Sequence, residues 1–265
     1  MYNSFQLVAR YLHYYFTSLN GKGHGTHSPF VFEFITKVLN DKTVFPEYKT
    51  VEQLRHRLQK DKTVITVEDF GAGSSVSKTN SRTIASIARH AAKSPKLAQL
   101  LFRMVRKYQP NNILELGTSL GITSACLALA KPDAQLQTLE GAGSIAAIER
   151  KNFDEIGLTN VHLTEGNFDN TLPGVINNSP SLDFVFVDGN HRQEPTERYF
   201  SQVLPCLNND SILVFDDIHW SREMEAAWDS IKNHEKVRCT IDLFFLGIVL
   251  FREEFREKQH FSVRF

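Results

Sequence analysis

The spacing of apolar residues changes partway along the chain. Up to about residue 94 they recur at helical intervals and predict helices at 5–19, 30–39, 51–59 and 82–92, with a further helix at 96–108. Ser28-Pro29 marks one helix entrance, because a serine side chain accepts from the first free amides and proline's missing donor costs nothing at the first helical position. Beyond residue 108, short and almost continuous apolar runs predict buried strands at 112–116, 134–139, 160–164, 183–187 and 211–215, each followed by a helical or turn segment. That alternation predicts an α/β fold with a doubly wound, mostly parallel sheet. Two further runs, 241–245 and 248–251, flank Gly247 too closely for a helical crossover and predict an antiparallel closing pair. No internal repeat or low-complexity tract interrupts the pattern.

Composition narrows the partners. Thirty basic and thirty acidic side chains balance in 265 residues, so no global field recruits nucleic acid or an anionic membrane. The longest apolar run, 243–251, is far below the ~18 residues of a membrane span. The apolar start at 5–16 is broken by Arg10 and His13 and is followed by no small-residue cleavage site, which predicts a retained segment. Cys126, Cys206 and Cys239 are scattered in apolar surroundings without a C-x-x-C pair, as reduced core thiols would be; a cytoplasmic location is expected.

The chemistry concentrates where strands end. Leu114 to Gly121 reads as a strand running into a turn with Gly117 and Gly121, followed by a small-residue helix. Glycines there let the backbone turn sharply and approach a ligand. Glu140 ends the next strand, about one βαβ unit later, where an acid that binds a ribose diol is expected. The glycines are three residues apart and Glu115 stands two before the first, a spacing that favours S-adenosylmethionine over NAD. Asp188 and His191 follow the strand at 183–187, and Asp216 and Asp217 follow the strand at 211–215. Three carboxylates at one edge repel unless a cation joins them, and an all-oxygen set suits Mg2+ or Ca2+. Helix caps at Asp188 or Asp217 and an arginine partner for Asp216 account for the same residues without a metal.

These motifs resemble the class I methyltransferases, and the pairing of E-L-G-x-x-x-G with a strand-end aspartate and a later acidic doublet resembles their metal-dependent catechol and caffeoyl-CoA O-methyltransferase branch. The resemblance covers roughly 96–251. It implies a Rossmann-like methyltransferase domain over 96–265; residues 1–95 lie outside the resemblance, and their aromatic-rich helices are expected to form a helical amino-terminal extension serving as lid or dimer interface. It also implies methyl transfer from S-adenosylmethionine to a hydroxyl of a small, aromatic, catechol-like acceptor. Glu115, Gly117, Thr118, Ser119 and Gly121 would hold the methionine half of the cofactor and Glu140 its ribose. Gly166 and Asn167 would lie near the adenine, with Asp188 also facing the cofactor. Asp188, Asp216 and Asp217 would hold the metal.

The family commonly has a lysine as proton acceptor three residues after the first metal aspartate. This chain has His191 there, whose ordinary pKa lies nearer neutrality; a turn-binding role explains the same residue. His219 is the competing base, with Trp220 beside it as a substrate wall or core residue. Asn167 or Asp169 as a helix cap is the alternative to adenine contact, and Gly141 replaces the bulky residue the family often has after the ribose acid. A metal-independent N-methyltransferase and a non-catalytic cofactor-binding module remain the other readings. Two further signals are set aside: Asp69 to Ser75 mimics a cofactor turn but opens no apolar helix, and His24 and His27 lie in a glycine-rich turn without further ligands.

Overall fold

The computed structural model describes residues 1–68, 81–179 and 181–265. The decoy turn beginning at Asp69 lies outside them. Ten strands are present among the described residues: β1 (Val64–Thr66), β2 (Ser81–Thr83), β3 (Asn112–Leu116), β4 (Gln135–Glu140), β5 (Val161–Glu165), β6 (Leu182–Val187), β7 (Leu207–Asp216), β8 (Cys239–Asp242), β9 (Leu246–Leu250) and β10 (Gln259–Ser262). The α-helices are α1 (Ser4–Thr17), α2 (Pro29–Phe34), α3 (Glu47–Leu58), α4 (Ile84–His90), α5 (Pro95–Tyr108), α6 (Ile122–Ala130), α7 (Gly143–Ile156), α8 (Phe168–Asn177), α9 (Gln193–Val203) and α10 (Arg222–Asn233). Strand and helix alternate from β3 to α10, the doubly wound α/β arrangement read from the apolar pattern. The chain packs as two compact units, Met1–Lys42 with Ser181–Phe265, and Thr43–Pro180.

In the Thr43–Pro180 unit, β4 pairs in parallel with β3 on one side and β5 on the other. Helix α5 opens as its sequence demands, with Ser94 accepting from the Leu97 amide and Pro95 in the first turn. It ends at Gln109, whose left-handed φ of 54° stops the helix. Its inner face buries Leu100, Leu101, Phe102, Met104 and Val105. Helix α6 is buried almost all round, because alanines, Cys126 and Leu127 leave it no polar face, and it packs against α3 and α5. β1 and β2 form a small antiparallel pair; β2 occupies the start of a segment whose spacing predicted only helix.

In the other unit the strand order is β10-β8-β9-β7-β6. β6 and β7 are parallel, and β9 runs antiparallel to both β7 and β8; the antiparallel closing pair is as expected, but its turn is at 243–245 and Gly247 lies within β9. β10 adds in parallel to β8. The pattern of apolar positions missed β10 and the first residues of β7, because both are polar and partly exposed. Ile212 to Phe215 are buried under α9 and α10, with Phe200 facing Phe215 and Trp228 filling the space over Gly247. A Cβ on Gly247 would lie 2.7 Å from the Trp228 ring, so that glycine is set by close approach of the indole.

Helix α1 is tied down at both ends. An Asn3 capping box starts it. Tyr2 donates to Glu225 at 2.7 Å, Arg10 pairs with Glu225 at 2.5 Å, and Tyr11 and Tyr14 pack on Phe244. Leu19 bridges to Val263, and Tyr14 donates to the Val263 carbonyl. The opposite face leaves Phe5, Val8, Leu12 and Phe16 exposed at helical spacing. No helix among the described residues is long and apolar enough to cross a membrane.

Candidate active site

The glycine turn after β3 is a run of left-handed residues. Gly117, Ser119 and Gly121 have φ values of 97°, 53° and 77°. Alternation of this kind points successive backbone N–H groups the same way and builds a concave, ligand-accepting surface. Two acids hold its shape. Glu115, fully buried at the end of β3, accepts from Ser124 at 2.5 Å and from Thr138 at 2.8 Å. Thr118 lies 2.5 Å from the same Thr138 hydroxyl. Glu140, at the end of β4, accepts from the Ser119 amide through Oε2 and from the Ala142 amide through Oε1, both at 2.9 Å. Burial raises its proton affinity, while these amides hold the charged form. The structure thus gathers Gly117, Thr118, Ser119 and Gly121 in one turn with Glu115 and Glu140 against it from the strands, each Glu140 oxygen already engaged by one amide.

Gly166, after β5, donates its amide to the Glu140 carbonyl at 2.8 Å and adopts a φ of 134°. Asn167 caps α8, its side-chain oxygen accepting from the Asp169 amide at 2.9 Å. The cap reading of Asn167 is therefore realised; its side-chain amide is the part left for a base edge.

Sequence reading missed Glu149. It lies on the inner face of α7 in phase with Ile145, Ala146 and Phe153, and is fully buried. The signal was an acid at an apolar position of the helical period.

In the other unit, β6 and β7 deliver Asp188, His191 and Asp216 together. One donor atom from each lies within 4.8 Å of the others. An ion centred among three atoms at that spacing sits at most about 2.8 Å from each, close to the roughly 2.0–2.6 Å of divalent metal bonds. Two successive left-handed residues, Asn190 with φ of 67° and His191 with φ of 48°, curl the chain back so that His191 Nε2 lies 3.6 Å from Asp188 Oδ1. The Trp220 ring is 5.6 Å from the imidazole. Asp217 is not in this group: its backbone is left-handed at φ 53° and its amide donates to Phe245. Imidazole thus stands where a third carboxylate was expected.

His219 is committed elsewhere. Its Nδ1 is 3.2 Å from Glu225 and its Nε2 is 2.8 Å from Asp242, with Phe244 stacked on the ring. Burial disfavours its protonation, but Asp242 and Glu225 outweigh burial and raise its pKa above the ordinary 6.5. The folded form therefore holds the proton better than the unfolded form. The stabilisation is complete below pH 6.5 and is lost as pH rises through the raised folded value. Melting curves taken between pH 5.5 and 9 should show this loss, and His219→Gln should flatten it; an unchanged pH profile in the variant would refute the assignment.

Residues 114–218 match a family described as a methyltransferase domain. A catechol O-methyltransferase of Niastella koreensis is 31% identical over 128 residues, which cover 47% of this chain and 57% of that relative. The chain thus spans little more than half the length of this curated relative. A Podospora anserina methyltransferase solved with S-adenosylhomocysteine bound superimposes with a TM-score of 0.59 at 14% identity, over 95% of this chain and 97% of that one. An O-methyltransferase of Bacillus cereus, also solved with S-adenosylhomocysteine, gives 0.55 at 18% identity, over 83% and 96%. Residues 114–218 thus match a methyltransferase domain, and the chain shares the fold of solved methyltransferases that bind S-adenosylhomocysteine.

Proposed function

We propose that the protein transfers a methyl group from S-adenosylmethionine to a hydroxyl of a small, catechol-like acceptor, with a divalent cation assisting. The observation that carries this reading is the left-handed turn at 117–121 clamped by Glu140, inside the segment that matches a methyltransferase domain. Ser119, Gly117 and Gly121 would receive the methionine half, and Glu140 would accept from the ribose with the lone pairs its two amides leave over. Glu115 would act mainly by fixing the turn. The catechol O-methyltransferase relative supports the acceptor class.

Asp188, His191 and Asp216 fit a divalent cation by donor type and spacing. Such an ion would lower the proton affinity of a bound hydroxyl. With His191 among the donors, we read it as a ligand in place of the proton acceptor, so the acidified hydroxyl would give its proton to solvent; the set suits Mn2+ or Co2+ as well as Mg2+. Cys126 and Cys239 are buried, with thiol pKa values pushed up to about 12, and no disulfide joins the cysteines. This supports a reducing, cytoplasmic setting.

Calorimetric titration with S-adenosylhomocysteine, followed by turnover of catechol with and without Mn2+, tests the reading. Micromolar binding and methylated product are expected. A protein that binds no S-adenosylhomocysteine would overturn it.

A further inference from the structure

Glu149 presents an unusual state for a carboxyl group. It is 0% exposed, and neither oxygen has a hydrogen-bond partner among the described residues. An enclosed polar group left unsatisfied destabilises the fold, and an apolar residue at this position would not carry that cost. Its place in the fold supplies a reason to keep it. α7 lies against the second half of the glycine turn: Asn152 donates to the Leu120 carbonyl at 2.9 Å, and a Cβ on Gly121 would lie 2.6 Å from the Phe153 ring and 3.3 Å from Glu149 Cγ. The charges acting on Glu149 are Glu140 and Glu115 from the strands and Arg150 from its own helix. Arg150 is half-exposed and already pairs with Glu165 at 3.2 Å. Burial first, and then the two neighbouring carboxylates, raise the proton affinity of Glu149 well above the usual carboxylate range. Enclosure and the two neighbouring carboxylates therefore favour the neutral form of the group, next to the turn that would receive the charged donor.

We propose that Glu149 is a positioning residue that recognises the charge of the cofactor: it releases its proton to solvent when the cationic sulfonium donor is seated on the turn and takes it back when the neutral thioether product remains. This rests on the cofactor reading above and adds to it a device that favours S-adenosylmethionine over S-adenosylhomocysteine. Donor and product share the same adenosine, ammonium and carboxylate groups, so a difference between them isolates the sulfonium.

The test is calorimetry of wild type and Glu149→Gln with each compound, in two buffers of different ionisation enthalpy near neutral pH. Wild type should release up to one proton on binding S-adenosylmethionine and fewer on binding S-adenosylhomocysteine. Glu149→Gln should lose that release and about ten-fold in donor affinity, a typical coupling between sites, while product affinity stays within about two-fold. Equal proton release for both compounds in wild type, or an equal fall of both affinities in the variant, would overturn the proposal. The wild-type comparison decides the matter even where the variant does not fold. Wild type that binds neither compound would sink the cofactor reading itself, a distinct result.

Discussion

Gly121→Ala is expected to lower stability by about 2–4 kcal/mol and to weaken S-adenosylhomocysteine binding at least ten-fold. Two costs add at this position: the left-handed φ of 77° is strained for any residue with a side chain, and the new methyl would lie 2.6 Å from the Phe153 ring. Phe153 is itself buried and has little room to withdraw. Relief would have to come from the turn, which would pull the Ser119 amide off Glu140 and flatten the cofactor surface. Gly157→Ala is the control, because its φ of 72° carries the same strain while nothing lies within 4 Å of the added carbon. It should cost only about 1 kcal/mol and leave ligand affinity unchanged. Thermal melts and the titration with S-adenosylhomocysteine measure both; equal losses in the two variants would show that the turn and α7 are not in the tight contact described.

Removing the cation or either carboxylate that would hold it should lower methyl transfer by roughly 10²–10⁴-fold, since a bound divalent ion is worth several kcal/mol of charge stabilisation. Asp188→Ala, Asp216→Ala and chelation should have similar effects, and S-adenosylhomocysteine affinity should remain within about two-fold because the turn at 117–121 is held by other residues. His191→Ala separates ligand from base. A ligand role predicts weaker Mn2+ binding, read directly by electron paramagnetic resonance, whereas a base role predicts normal Mn2+ binding with slow turnover. Asp217→Asn should leave Mn2+ affinity nearly unaltered. Turnover that survives chelation in full would remove the metal from the mechanism and leave Asp188 and Asp216 as structural acids.

The fold was legible because its strands are short apolar runs that stop at an acid or a glycine: Leu114 to Gly117, Leu136 to Glu140 and Val185 to Asp188 announce both a strand and the residue it delivers. The composition of the cation site was harder to read. Asp216 and Asp217 are adjacent, and nothing in their identity shows that the backbone turns left-handed at 217 and takes that residue out of the group. The fold-back at Asn190 and His191 depends on two positive φ values, which asparagine and histidine adopt more readily than most residues but do not announce. His219 read as a possible base because its partner Asp242 stands 23 residues away and pairs with it only once β7, β8 and β9 are assembled. Glu149 escaped notice for the opposite reason. A glutamate on a helix is ordinarily solvated, and only the phase of its apolar neighbours hinted that this one is enclosed.

The division of the chain into one continuous unit and one split unit bears on how it is made. Residues 43–180 form a compact body by themselves, so they can collapse while the rest is still being synthesised. α1 cannot settle at that stage: its partners Glu225, Phe244 and Val263 leave the ribosome more than 200 residues later. Throughout that interval Tyr11 and Tyr14 lack the aromatic cover that Phe244 gives them in the finished fold, so the last stretch of chain to be made decides when the first helix can dock.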